Sequence, residues 1–112
     1  MGWELLNTQF KKGVVELCIL KLLSEKDMYG FEVIDALANL LFVNENTVYP
    51  ILRRLTQQGL FSTYTKESNL GAPRKYYHLT EKGRKQLDEY LKEWKFFLKN
   101  VNIILGGNYE EK

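Results

Sequence analysis

Residues Asn44–Leu60, NENTVYPILRRLTQQGL, carry the pattern on which the reading of this chain turns. Val48, Ile51, Leu52 and Leu55 recur at helical spacing and make one apolar face. Asn44 is suited to cap such a helix, Glu45 to its positive end, and Gly59 to the residue that leaves it. Pro50 is tolerable only early in the helix, where it deletes one hydrogen bond and predicts a local kink. Asn46, Thr47, Tyr49, Arg53 and Arg54 fall on or near the other face. A solvated surface helix is one account of that second face. A surface that meets a ligand is the other.

The flanking segments favour the second account. Upstream, a helix is expected from about Asn7 to Leu23. Val14, Val15, Leu17, Cys18, Ile19, Leu20, Leu22 and Leu23 make it apolar nearly all round, as befits a central core helix. SEKDM (Ser24–Met28) breaks it. A second helix follows over about Tyr29–Leu40, with Phe31, Ile34, Leu37 and Leu41 at near-helical spacing and Gly30 in its first turn suggesting close packing. Phe42-Val43-Asn44 turns the chain into the arginine-bearing helix. Downstream, FSTYTK (Phe61–Lys66) and RKYYHL (Arg74–Leu79) read as strands joined by the turn-rich loop ESNLGAP (Glu67–Pro73). Three helices and a hairpin of this size form a winged helix-turn-helix pattern, a mainly α fold with a small β-hairpin (α+β).

The last helix begins after the capping Thr80 and runs to about Leu105, where Gly106-Gly107 stop it. Leu87, Leu91, Trp94, Leu98, Val101 and Leu105 alternate four and three residues apart, flanked by Tyr90, Phe97 and Ile104: a heptad seam with a widened stripe. At ~1.5 Å per residue such a helix is roughly 39 Å long. The segment before it makes too small a body to cover that length. A second copy of the chain is the economical cover, so a homodimer is expected, with those six residues at its interface. The alternative is that the helix folds back on the first helix of its own chain. The division is therefore residues 1–79, a winged helix-turn-helix domain, and residues 80–112, a dimerisation helix and tail, in one compact unit.

A chain of 112 residues that is 45% hydrophobic and 27% charged is an ordinary globular domain. No apolar run approaches the ~18 residues of a membrane span, and the N-terminus lacks the basic start and apolar run of a signal peptide. The single cysteine, Cys18, permits no disulfide within the chain and suits a buried small hydrophobe. These features suggest a cytoplasmic protein. The net charge of +2 decides little; what matters is whether cations cluster on one face.

They cluster on the two elements that would face DNA. In a helix-turn-helix the second helix enters the major groove. Asn46 suits adenine, an arginine suits guanine, and Thr47 suits a thymine methyl, while Arg53 or Arg54 can instead hold phosphates. Lys66, Arg74 and Lys75 put three cations on the hairpin arms, around a Gly-Ala-Pro tip. Lys11 and Lys12 are further candidates for phosphate contact. Double-stranded DNA is the expected partner. A winged-helix adaptor that binds protein is the alternative, although it has no need of cations at those positions.

Three segments together resemble the PadR family of bacterial transcriptional regulators: GVVELCILKLLSEKDMYGFEVI (Gly13–Ile34), NENTVYPILRRLTQQGL (Asn44–Leu60) and GAPRKYYHLTEKGRKQL (Gly71–Leu87). The most specific parts are Thr47–Leu52 and Pro73–Thr80. The resemblance covers about residues 8–105. It implies a winged helix followed by a single C-terminal dimerisation helix, and usually a repressor. It also implies that Thr47, Tyr49, Pro50, Arg53 and Arg54 belong to the DNA-reading segment, and Gly71, Pro73 and Arg74 to the wing. Drug-responsive relatives carry a tryptophan at the position of Trp94 that stacks on a flat aromatic effector between protomers. Trp94 is therefore a candidate effector residue, with simple packing of a dimer core as its alternative.

No catalytic constellation stands beside this. His78 is the single histidine, no Cys/His cluster has metal-ligand spacing, and Gly106-Gly107 is a helix stop and not a phosphate loop. Neither an enzyme nor a cofactor is expected.

Overall fold

The computed structural model describes residues 8–106, with side chains from Gly13 onward. Asn7, Trp3, Gly107 and the side chains of Lys11 and Lys12 lie outside the described residues. The elements run α1 (Thr8–Glu25), β1 (Met28–Tyr29), α2 (Gly30–Leu41), α3 (Glu45–Gln57), β2 (Phe61–Ser68), β3 (Gly71–Leu79) and α4 (Glu81–Ile104). This is a mainly helical fold with one small antiparallel sheet, of order β1-β3-β2.

Val15, Ile19, Leu20 and Leu23 place α1 at the centre of the core, with Leu17, Cys18 and Leu22 half-buried around it. Burial raises the Cys18 thiol pKa above its ordinary value, which disfavours a reactive thiolate. In α2 the inner face is Val33 and Leu37. Phe31, expected inside, is 61% exposed, because the helix starts at Gly30 and the phase set by Val33 and Leu37 turns it outward. Tyr29 belongs to the two-residue strand β1, too short to carry any periodic signal. The reversal into α3 is made by Phe42, whose φ of 55° is left-handed, with its N–H donating to the Ala38 carbonyl.

The hairpin is longer than its sequence suggests. Ser68 pairs with Gly71, so the turn is Asn69-Leu70, and Gly71-Ala72-Pro73 lie in β3 and not at the tip. Between the Lys66–Arg74 and Ser68–Gly71 pairs, two residues of β3, Ala72 and Pro73, face the single Glu67 of β2. Such a bulge accommodates a proline that has no N–H for the ladder.

The root of α4 is locked to the end of α3. Thr80 accepts at Oγ1 from the Gly83 N–H at 3.0 Å and donates to the Gly59 carbonyl at 2.7 Å. Lys82 Nζ donates to the Gln58 carbonyl at 2.9 Å. A Cβ on Gly83 would collide with the Leu60 carbonyl and with Leu79, so only glycine permits this crossing. Leu87 is 4% exposed, within the core of its own chain. That removes it from the exposed seam expected to meet a partner, because α4 spends its first turns closing the winged helix. Tyr90 and Leu91 pack against the same core, so the near half of α4 does fold back on its own chain. The far half does not: Phe96, Phe97, Leu98, Ile103, Ile104 and Leu105 are exposed.

Candidate nucleic-acid interface

The Asn44 side chain caps α3 by accepting from the Asn46 N–H at 2.9 Å. At the other end, Gly59 (φ 84°) donates to the Thr56 carbonyl at 3.0 Å and Leu60 to the Leu55 carbonyl at 2.9 Å. These paired bonds are the left-handed glycine stop that satisfies the last carbonyls of a helix. Val48, Ile51, Leu52 and Leu55 are all buried, as their spacing requires. With that face committed, Asn46, Pro50, Arg53 and Gln57 form an exposed stripe at i, i+4, i+7 and i+11, with Tyr49 beside it. Pro50 sits within the helix, and its missing N–H leaves the Asn46 carbonyl without its i+4 donor. That carbonyl lies on the exposed side, where water or a ligand can supply the donor. Gln57 continues the Arg53 position by one helical turn; extending the i, i+4 series in the sequence would have found it.

The two adjacent arginines part company. Arg53 is exposed, whereas Arg54 turns toward α1, where its Nη1 lies 2.7 Å from Glu16 Oε2. Arg54 is thus paired inward while its side chain stays 38% exposed. It pins α3 to α1, and the partner that draws it inward comes from a segment 38 positions earlier, beyond the reach of local pattern. Thr47 is half-buried on the same flank. Tyr49 packs on the opposite side against Gly30. A Cβ on Gly30 would lie 2.6 Å from Tyr49 Cε1, which explains the glycine.

The hairpin cations also divide. Side chains alternate across a sheet, and the ladder sets Lys66 and Arg74 on one face with Tyr64, Tyr76, Ser62 and His78. Lys66 lies over the Tyr76 ring at 5.1 Å from its centroid, and Arg74 over Tyr29 at 4.5 Å. Tyr64 and Tyr76 stack at 5.5 Å. At the root of this face Asp27 accepts from Tyr64 Oη at 2.7 Å and from His78 Nδ1 at 2.9 Å. Burial opposes the Asp27 carboxylate, but these two hydrogen bonds and the charges of His78 and Lys66 outweigh it and hold its pKa below the ordinary value. His78 is thus a fastener between the hairpin and the turn after α1.

Lys75 lies on the other face with Tyr77, at 5.7 Å from its ring centroid. This face looks onto α3. Tyr49, Arg53, Thr56 and Gln57 of α3 and Lys75 and Tyr77 of β3 line a cleft between helix and hairpin.

Residues 19–89 match the family described as "Transcriptional regulator PadR-like family". The chain belongs to the PadR-like family. Among solved structures, a PadR-like transcriptional regulator from Bacillus cereus is 40% identical, with a TM-score of 0.79 over 90% of this chain and all of the other. A PadR-like transcription factor from Bacteroides fragilis is 42% identical, with a TM-score of 0.75 over 87% of this chain and 95% of that one. An uncharacterised protein from Lysinibacillus sphaericus is 30% identical over 86% of this chain and 92% of its own length. The transcriptional regulator YqjI of Escherichia coli is 34% identical over 71% of this chain, which matches only 39% of that longer protein. PadR-like proteins are transcriptional regulators, and membership supports the non-enzymatic reading of this chain. No helix among the described residues is long and apolar enough to cross a membrane.

Proposed function

We propose that this PadR-like regulator is a cytoplasmic homodimeric repressor that reads operator DNA with α3 and the hairpin. The observation that carries the reading is the α3 stripe of Asn46, Pro50, Arg53 and Gln57 beside a hairpin bearing Lys66, Arg74 and Lys75. Asn46, Thr47, Tyr49 and Pro50 enter the major groove, Arg53 and the hairpin cations add contacts, and Arg54 holds the helix in place. Residues 1–79 act as the reading unit and residues 80–112 as the pairing unit.

The far half of α4 supports the dimer. Ile104 is 81% and Leu105 72% exposed. Leaving such side chains in water forgoes roughly 1.5–3 kcal/mol each, a deficit that a second copy of α4 removes. Leu91, Trp94, Leu98, Val101 and Leu105 are the pairing residues of this reading. Trp94 also lines an open groove with Gly13, Glu16, Leu17, Tyr90, Glu93 and Phe97. Indole, phenol and phenyl faces beside the Glu93 carboxylate suit a planar aromatic cation, Glu16 being already paired with Arg54. Its binding between protomers would alter the spacing of the two reading helices and release DNA.

The test is fluorescence anisotropy with the DNA upstream of the protein's own gene against a scrambled duplex, at two salt concentrations. Tight, salt-sensitive binding that prefers the native duplex is expected. Equal weak binding to both, or none at low salt, defeats the operator reading for that DNA and turns attention to a protein partner.

A further inference from the structure

The cleft between α3 and β3 brings together cations from two elements. It encloses about 230 Å³ and is lined by Tyr49, Arg53, Thr56, Gln57, Lys75 and Tyr77. Two of these are cations, contributed by two different elements, and none is an acid. The neighbouring cations are held elsewhere: Arg54 pairs with Glu16, Lys66 lies over Tyr76 and Arg74 over Tyr29, whereas Lys75 lies over Tyr77, a wall of the cleft itself. Two like charges converging on one cleft repel each other, and an anion between them relieves that repulsion.

We propose that this cleft is the seat of a single DNA backbone phosphate, clamped between Arg53 from α3 and Lys75 from β3. The inference rests on the DNA-reading function proposed above and assigns a role within it. Neutral donors complete the seat. The Tyr77 phenol keeps its proton, because burial and then Tyr49 raise its pKa against the lowering effect of Arg53. The Tyr49 hydroxyl and the Gln57 amide are further donors. Thr56 is not one, since its hydroxyl donates to the Leu52 carbonyl at 2.7 Å. A phosphate bridging α3 and β3 would fix the height and tilt of the helix in the groove. Arg53 then positions the protein on DNA and does not read guanine; base reading falls to Asn46 and the first turns of α3.

The test uses the full-length protein and a duplex that it selects from random sequence. Arg53→Ala and Lys75→Ala are each expected to weaken binding about tenfold on selected and scrambled duplexes alike. Each should also lower the slope of log affinity against log salt by about one. The double variant should lose less than the product of the two, because both side chains serve one phosphate. Replacing phosphates one at a time with neutral methylphosphonates should find one position per half-site that weakens the wild type and leaves the double variant unaffected. The proposal is overturned if Arg53→Ala loses preference for the selected duplex, which would make Arg53 a base reader, or if no methylphosphonate position is masked in the double variant. Failure of the wild type to bind any duplex would be a different result, defeating the regulator reading itself. Circular dichroism melts of both variants exclude misfolding as the cause of any loss.

Discussion

Helices α3 and α4 solve the same problem in opposite ways. Each docks one apolar face into the core and leaves the rest outside. On α3 the remainder is polar and cationic: Asn46, Arg53 and Gln57. On the far half of α4 the remainder is apolar: Phe96, Phe97, Ile103, Ile104 and Leu105. Water tolerates the first surface and penalises the second. The chemistry left outside is what the proposed function draws on, in which α3 meets a polyanion and the far half of α4 another apolar surface.

The contrast depends on the root of α4 being immovable, and the largest effect is expected there. Gly83→Ala drives a methyl into the Leu60 carbonyl and the Leu79 side chain, and either the backbone moves or α4 lifts. Overpacking of this kind costs roughly 2–3 kcal/mol, readable as a lower urea midpoint with an unchanged slope. Next comes the apolar end. Leu98→Glu places a charge on the exposed half of α4 and should leave the helical signal intact while sedimentation shifts from two-chain to one-chain mass. An unchanged mass would remove this half of α4 as the pairing surface and weaken the contrast. The smallest effect is at the hairpin root. The pKa of Asp27 is lowered in the folded chain, so below the ordinary carboxylate pKa of about 3.9 the unfolded chain binds more protons. The stabilisation is present above that pH and is lost as pH falls through the folded value. Asp27→Asn should flatten the acid branch of the stability–pH profile, as measured by thermal melts across pH 2–6.

Much of this was legible because it is local. The caps at Asn44 and Thr80, the stop at Gly59 and the buried faces of α1 and α3 follow from spacing, side-chain hydrogen bonding and glycine backbone freedom. All of these act within a few residues of the chain. The family signature likewise lies in two short segments, Thr47–Leu52 and Pro73–Thr80. Asn46 and Arg53 of the exposed α3 stripe were visible as well, but Gln57 was not, and Thr47 and Arg54, expected on that face, are half-buried. Phe31 was misplaced because it lies at the border of the apolar stripe shared by Val33, Ile34, Leu37 and Leu41, and spacing alone does not fix where that stripe ends.

What the tertiary structure decided is how residues equal in sequence became unequal in space. Arg53 and Arg54 are neighbours in the chain, but a carboxylate on α1 claims only the second. Lys66, Arg74 and Lys75 all lie on the arms of one hairpin, yet the pleat and the register divide them between an aromatic-covered face and the α3 cleft. Leu87 and Leu98 occupy equivalent seam positions, but only the first lies over the winged-helix core. Periodicity assigns a side chain to a face of its own element. Which neighbour occupies that face depends on contacts between residues far apart in the chain, and no local pattern encodes them.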